Sequence, residues 1–199
     1  MKIKEIKARW LKPFPLDQLQ RISEYAKLES NLFDLRGVSM ERNSIRNIDL
    51  VGVDFSYSSF SSMAKLKLEN CFLNKFKLED TLYEVNVTNT VFVNGKIECD
   101  FIDCNIVNSI FNNVNFAKSS IIARNKFINC KFINCSFKRL NGQKAIFDNC
   151  IFVNNEVNDW TTFYEASFIK CDLQEQNFEN AIMDKVNFNG CYLRPEGGV

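Results

Sequence analysis

Between Thr161 and Leu193 the chain repeats every five residues. Written in blocks it reads TTFYE, ASFIK, CDLQE, QNFEN, AIMDK, VNFNG, CYL. The third residue of each block is large and apolar: Phe163, Phe168, Leu173, Phe178, Met183, Phe188, Leu193. The first is small (Thr161, Ala166, Cys171, Ala181, Val186, Cys191), with Gln176 the one misfit. A strict period of five matches neither the helical period of about 3.6 nor the strand period of about 2, so it demands a repeat architecture. Calling the large position i and the small one i−2, the same register runs over 33–60 (Leu35, Met40, Ile45, Leu50, Phe55, Phe60 at i). It returns over 99–121 (Phe101, Ile106, Phe111, Phe116, Ile121) and 125–157 (Phe127, Phe132, Phe137, Phe147, Phe152). Of the 19 Phe, 15 fall on i, which chance does not produce.

The blocks resemble those of the pentapeptide-repeat family, small–Asp/Asn–Leu/Phe–x–x. The resemblance implies an all-β fold, a right-handed quadrilateral β-helix in which four blocks close one square coil. Residues twenty apart should then stack, Phe127 over Phe147, Phe132 over Phe152 and Phe168 over Phe188, with i and i−2 pointing inward and the other positions facing water. About 32 blocks give about eight coils, roughly 38 Å of rod at about 4.8 Å per coil. Asn and Asp around the blocks (Asn129, Asn134, Asn149, Asp172, Asn187) suit corner turns, because their side chains bond to nearby backbone.

The repeat is expected over 33–193, preceded by a basic arm and capping helix at 1–32 and followed by a tail at 194–199. In the N-terminal part Pro13 and Pro15 punctuate the chain, and Leu16, Leu19, Ile22 and Ala26 form a narrow apolar stripe at helical spacing. A helix there would cover the open end of the first coil, as repeat arrays require; the alternative is a partner-binding helix. The register falters over 61–86, where Phe76 puts a large side chain at a small position and i jumps by eight (Phe60 to Leu68) and nine (Leu78 to Val87). A bulge or short loop is expected at one or both jumps. One residue is missing between Ile97 and Phe101, and single insertions fall near 122–124 and 158–160. Gly142 takes an i position with Leu140 at i−2, a local exchange of large and small.

Cys71, Cys99, Cys104, Cys130, Cys135, Cys150, Cys171 and Cys191 all stand at i−2, where a free thiol packs as a compact hydrophobe. Zinc sites use C-x₂₋₄-C pairs and usually His; here the closest pairs are five apart and the chain has no His. Reduced thiols fit a reducing compartment, and the N-terminus lacks the apolar core of a signal peptide, so a cytoplasmic protein is expected. No stretch approaches the 18 or so apolar residues of a membrane span.

Nothing in the chain reads as catalytic machinery. Without His there is no Ser-His or Cys-His nucleophile, and neither GxxxxGK[ST] nor GxGxxG occurs. The densest carboxylates, Glu98, Asp100 and Asp103, read as a solvated face. No cofactor and no enzymatic activity are expected. Net charge is +1, yet its distribution is uneven. Between Asp103 and Asp148 there are seven bases (Lys118, Arg124, Lys126, Lys131, Lys138, Arg139, Lys144) and no acid, whereas from Asp148 onward nine acids meet three bases. That predicts a basic belt and an acidic C-terminal end.

The expected function is protein binding, as a scaffold, effector or immunity-type solenoid, with nucleic acid disfavoured by the charge balance. The family resemblance implies an alternative. Its best-known members mimic duplex DNA, bind DNA gyrase and protect it from quinolones or peptide toxins. Those members are strongly acidic and carry defined loops, which this chain does not match. Candidate interaction residues are Trp160 and Asp159 at the insertion, nearby Glu165, and Tyr192 and Leu193 in the last coil. After Leu193 too few residues remain for a capping helix, which predicts a homodimer joined through the C-terminal coil.

Overall fold

A computed structural model describes Glu5 and residues 32–40, 44–116 and 122–193. The basic arm, the expected helical cap, the tail at 194–199, Lys118 and Ile121 lie outside the described residues. The described residues from Phe33 to Leu193 form one right-handed, all-β solenoid. Two faces are parallel sheets of eight short strands each, one strand per coil, which makes eight coils.

Face 1 runs from Asp49–Val51 to Asn187–Asn189, and face 2 from Phe33–Asp34 to Asp172–Glu175. Face 3 carries Ser39–Met40, Ser59–Ala64, Lys77–Tyr83, Lys96–Ile102 and Asn115–Phe116, continued by single bridges through Ser136 and Glu156. Face 4 is narrow: Ile45–Arg46 pairs with Met63–Ala64, and later coils join by the bridges Asn141–Thr162–Ile182. A coil is not always twenty residues. Asp54 pairs with Phe72, 18 on; Lys67 with Asn86, 19 on; Lys131 with Ile151, 20 on; Asn105 with Lys126, 21 on.

The core is the column of i residues. On face 2 the rings of Phe92, Phe111, Phe132 and Phe152 stack at centroid spacings of 4.7, 5.1 and 4.9 Å. On face 1 Phe127, Phe147, Phe168 and Phe188 stack at 5.2, 4.9 and 5.5 Å. All three expected pairs are therefore present. Rings from adjoining faces meet edge-on, as Phe127 and Phe132 do at 66°, so rings such as Phe127, Phe132, Phe147 and Phe152 have both favourable aromatic geometries.

The left-handed residue that turns each corner sits at i+2. Edge 1/2 uses Asn70, Asn89, Asn108, Asn129 and Asn149, with φ between 50° and 54°. Asn tolerates this region because its short amide bonds locally, whereas other L-residues lose about 1–2 kcal/mol there. The amides also bond to one another up the edge: Asn149 Nδ2 donates to Asn129 Oδ1 (2.8 Å) and Asn129 Nδ2 to Asn108 Oδ1 (3.0 Å). On edge 2/3 Asn113 donates to Asn94 (2.7 Å) and Asn94 to Asn74 (3.1 Å).

The irregular stretch resolves without a loop. Ser59–Ala64, Lys77–Tyr83 and Lys96–Ile102 run straight past the corner between faces 3 and 4, and their inward residues include Met63, Leu82 and Cys99. The expected bulge is one residue, where the pairing of the first two strands slips around left-handed Asp80 (φ 58°). Phe76 stays inside because its neighbour one coil on is Gly95, at which a Cβ would lie 2.0 Å from the Phe76 ring. Likewise Leu140 is buried, and Gly142 leaves the room that Phe163 fills, a Cβ there standing 2.7 Å from its ring.

Gln176, the misfit at i−2, is buried beside Asn155 of the previous coil. Its Oε1 accepts from Asn155 N (3.1 Å) and Nδ2 (2.9 Å), and its Nε2 donates to the carbonyls of Asn155 (3.0 Å) and Asn177 (2.8 Å). Among the described residues no buried side-chain nitrogen or oxygen lacks a partner.

Candidate interaction surface

A solenoid offers its partners the residues at i−1 and i+1 of each face and those at the corners. On face 1 the i−1 row is mostly polar: Asp49, Lys67, Asn86, Asn105, Lys126, Ile146, Ser167, Asn187. Face 2 differs. The middle of its i−1 row is Phe72, Val91, Ile110, Lys131 and Ile151, between Asp34 and Asp54 at one end and Asp172 at the other, and its i+1 row includes Val93, Ile133 and Val153. These apolar side chains point outward from the core strands and are half-buried by one another. Sequence reasoning assigned every outward position to water and missed this face. The signal was present in the blocks CFLNK, TVFVN, SIFNN, CKFIN and CIFVN, where β-branched or aromatic residues flank i on every fourth block.

Edge 4/1 carries a ladder of charge in place of Asn: Lys65, Glu84, Asp103, Arg124, Lys144, Glu165, Lys185, all left-handed. Lys65 lies 3.9 Å from Glu84, and Glu165 lies between Lys144 (3.2 Å) and Lys185 (3.6 Å). Lys185 Nζ also donates to Tyr164 Oη (2.8 Å) and stands over its ring. The Glu165 carboxyl is held below its ordinary pKa by hydrogen bonding with Tyr164 and then with Lys144. On the next edge Lys138 pairs with Glu156 at 2.9 Å. The basic belt and the acidic end therefore interlock at their boundary, because bases of one coil reach acids of the next.

The residues singled out in the sequence do not converge on one spot. Asp159 and Trp160 form the turn at the corner of faces 3 and 4, and Trp160 is 69% exposed. That turn is well held: Thr161 Oγ1 donates to the Phe137 carbonyl (2.8 Å) and accepts from Asn158 N (3.0 Å). Glu165 stands at the following corner, in the charge ladder. Tyr192 makes a single bridge to Asp172 beyond the last strand of face 2 and Leu193 follows it, 66% and 40% exposed. Met183, Val186, Phe188 and Cys191 of that last coil, inward in register, are only partly buried.

The carboxylates at 98–103 do not form a ligand set. Glu98 lies 2.7 Å from Lys96 and 3.9 Å from Lys77, and among the described residues no three His, Cys, Asp or Glu converge on one point. Seven cysteines are buried and Cys191 is partly open, all unpaired. Burial pushes the Cys71 and Cys104 thiols up to about 11 and Cys135 to about 12. Among the described residues no helix is long and apolar enough to cross a membrane.

Comparison with known proteins bears on the repeat. The family model for pentapeptide repeats matches residues 160–194 in 8 copies. Similar solved structures include HetL, a pentapeptide repeat protein involved in heterocyst differentiation regulation from the cyanobacterium Nostoc sp. strain PCC 7120. It is 13% identical, with a TM-score of 0.45, covering 92% of this chain and 96% of that one. Trypsin-treated QnrB1, a plasmid-mediated fluoroquinolone resistance protein, is 14% identical, with a TM-score of 0.35 over 82% of this chain and 90% of its own. Rfr23 from the cyanobacterium Cyanothece 51142 is 10% identical, with a TM-score of 0.34 over 81% and 88%. No curated protein matches the chain.

Proposed function

We propose that this chain, a solenoid whose residues 160–194 match the pentapeptide-repeat model, is a non-enzymatic protein-interaction solenoid, of scaffold, effector or immunity type, working in the cytoplasm. The observation that carries this is the half-buried apolar outer surface in the middle coils of face 2. Contiguous exposed apolar surface on an otherwise polar protein marks a protein contact. The exposed aromatic Tyr192 at the end of this face is of the type that dominates interface energies, and Trp160 stands apart from it at the corner of faces 3 and 4. The test is photo-crosslinking in the native host, with the reactive residue placed at Val91, Ile133 or Ile151 on face 2 and at Asn105 or Ser167 on face 1. Discrete adducts from face 2 alone are expected; the same adduct pattern from both faces refutes the assignment.

A second reading, the DNA-mimicking gyrase-binding protein, is favoured by the open last coil. Partly buried Phe188, Val186 and Met183 beside exposed Leu193 would be covered by a second copy joined end to end about a two-fold axis, which closes the assembly. Against it stands the ion pairing of Glu156 and Glu165, which leaves less uncompensated negative charge than a DNA mimic needs. Supercoiling assays with gyrase, with and without a quinolone, and light scattering at tens of micromolar separate the two. A monomer that neither inhibits nor protects gyrase removes the second reading and leaves the first intact.

A further inference from the structure

The i−2 positions at edge 1/2 stack into one column through the rod: Cys71, Thr90, Ser109, Cys130, Cys150, Cys171, Cys191. Backbone bonds tie its upper members coil to coil, since the residue after each cysteine donates to the carbonyl of the cysteine before it. Ile151 N donates to Cys130 O, Asp172 N to Cys150 O and Tyr192 N to Cys171 O, each at 2.9 Å. The upper four thiols also point the same way. Cys130 Sγ donates to the Ile106 carbonyl (3.4 Å), Cys150 to Phe127 (3.3 Å), Cys171 to Phe147 (3.3 Å) and Cys191 to Phe168 (3.2 Å). The lower three of these thiols are fully buried, whereas Cys191 belongs to the last coil and is partly open. Column and opening together make a line of sulfurs with one end accessible.

A straight column cannot make the four-fold convergence that zinc requires. It does match two-coordinate binding. Stacked strands repeat at about 4.8 Å, and two thiolates spanning one ion with a metal–sulfur bond of the zinc length, about 2.3 Å, would stand about 4.6 Å apart. The backbone spacing of the two coils is close to that span. Soft thiolate ligands select Cu(I) among the biological metals.

We propose that Cys171 and Cys191 form a two-coordinate site for a soft monovalent cation of the Cu(I) type, entered through the open last coil. On binding, two S–H bonds break and two metal–sulfur bonds form. Two protons pass to solvent, and no electron is transferred. Both ligands come from one chain, so the stoichiometry is one ion per chain whether or not two ends pair. The thiolate is the binding form. The complex carries a residual negative charge, and Lys170 is placed to offset it. Its stem runs beside the last coil, where a Cβ at Gly190 would touch Lys170 Cγ at 3.6 Å, and it lines a shallow groove over this corner with Lys131, Asp172 and Tyr192.

The probe is Ag(I) in chloride-free buffer, repeated with Cu(I) under anaerobic conditions, on the full chain. Native mass spectrometry should find one ion and two fewer protons per chain at one equivalent. Iodoacetamide footprinting should show Cys191 labelled fastest in the metal-free protein and slowed at least tenfold by that equivalent. Cys191→Ser should weaken the first binding event at least a hundredfold, while Cys71→Ser, at the buried foot of the column, should not change it. Three outcomes each overturn the proposal: Cys191→Ser binding the first ion as tightly as the parent, Cys191 labelling unaffected by one equivalent in the unmutated protein, or binding that proceeds only with loss of the far-ultraviolet strand signal.

Discussion

Gly95 and Phe76 should be coupled so strongly that the effect of one substitution changes sign with the other. A Cβ at Gly95 would lie 2.0, 2.3 and 2.4 Å from three atoms of the Phe76 ring. Ordinary carbon contacts stand at about 3.5–4.0 Å, so the overlap exceeds an ångström at each. The ring cannot slip into solvent, being 3% exposed and set edge-on against Phe92 at 5.5 Å. Gly95→Ala should therefore cost about 3 kcal/mol, the upper part of the range for overpacked cores. Phe76→Ala should cost about 3–5 kcal/mol through the cavity it leaves. With Ala at 76 the obstruction is gone, and Gly95 lies outside the left-handed region. Gly95→Ala should then stabilise by about 0.4–1 kcal/mol, by restricting the unfolded chain. The coupling is the difference, more than about 3 kcal/mol, at the top of what neighbouring residues show. Urea unfolding of the four proteins, followed by far-ultraviolet circular dichroism at equal slope, measures it. If Gly95→Ala costs the same in both backgrounds, the Phe76 ring does not occupy the space over Gly95 and the reasoning fails.

Phe178, buried against Phe163 at 5.6 Å and Phe168 at 5.8 Å, should cost about 3–5 kcal/mol as Phe178→Ala, against under about 0.5 kcal/mol for the exposed Glu179→Ala; equal melting temperatures would contradict the inside–outside assignment. Gln176→Leu should destabilise by about 1–3 kcal/mol despite its similar size, because Asn155 loses the acceptor of two of its donors; a neutral result in thermal unfolding would mean that Asn155 finds another partner. Lys75, left-handed at φ 53° just below Asn94 on edge 2/3, should gain about 0.5–1 kcal/mol as Lys75→Asn, read as a raised urea midpoint. The depressed Glu165 pKa contributes stability that is present above its unfolded value near 4.3 and fades as pH falls through the lower folded value; Glu165→Gln should flatten that acid limb and leave the neutral and basic range unchanged in slope.

The core was legible because one residue type marks one place. Phe at i fixed the period, the period fixed which positions face inward, and the eight cysteines followed from it. What the sequence hid were relations between coils of unequal length. Phe76 and Gly95 are each exceptions to the block rule, and they explain one another only once that coil is known to hold 19 residues. The same uncertainty concealed the Lys138–Glu156 and Lys144–Glu165 pairs, so the charge runs read as separate surfaces. The lost register at 61–86 has a different cause. There the strands run on through the corner, with Asp80 the single left-handed residue in Lys77–Tyr83, and the inward positions Met63 and Leu82 obey the local spacing of a strand rather than that of a block. The single insertion at 158–160 was legible from the block spacing, and Trp160 stands exposed on the turn there. The apolar face 2 was missed because block grammar describes the interior and says nothing of what an outward residue meets.

Unequal coils also set how the rod would yield under load. Pulled from its two ends along the axis, a solenoid whose coils bond only to their neighbours is peeled one coil at a time. Each event would release 18 to 21 residues, about 63–74 Å of contour at about 3.5 Å per residue. The coils joined by the long strands Ser59–Ala64, Lys77–Tyr83 and Lys96–Ile102 share about twice the ladder of their neighbours. They form a mechanical clamp in the N-terminal half of the rod, so the coils beyond it toward the C-terminus give way first.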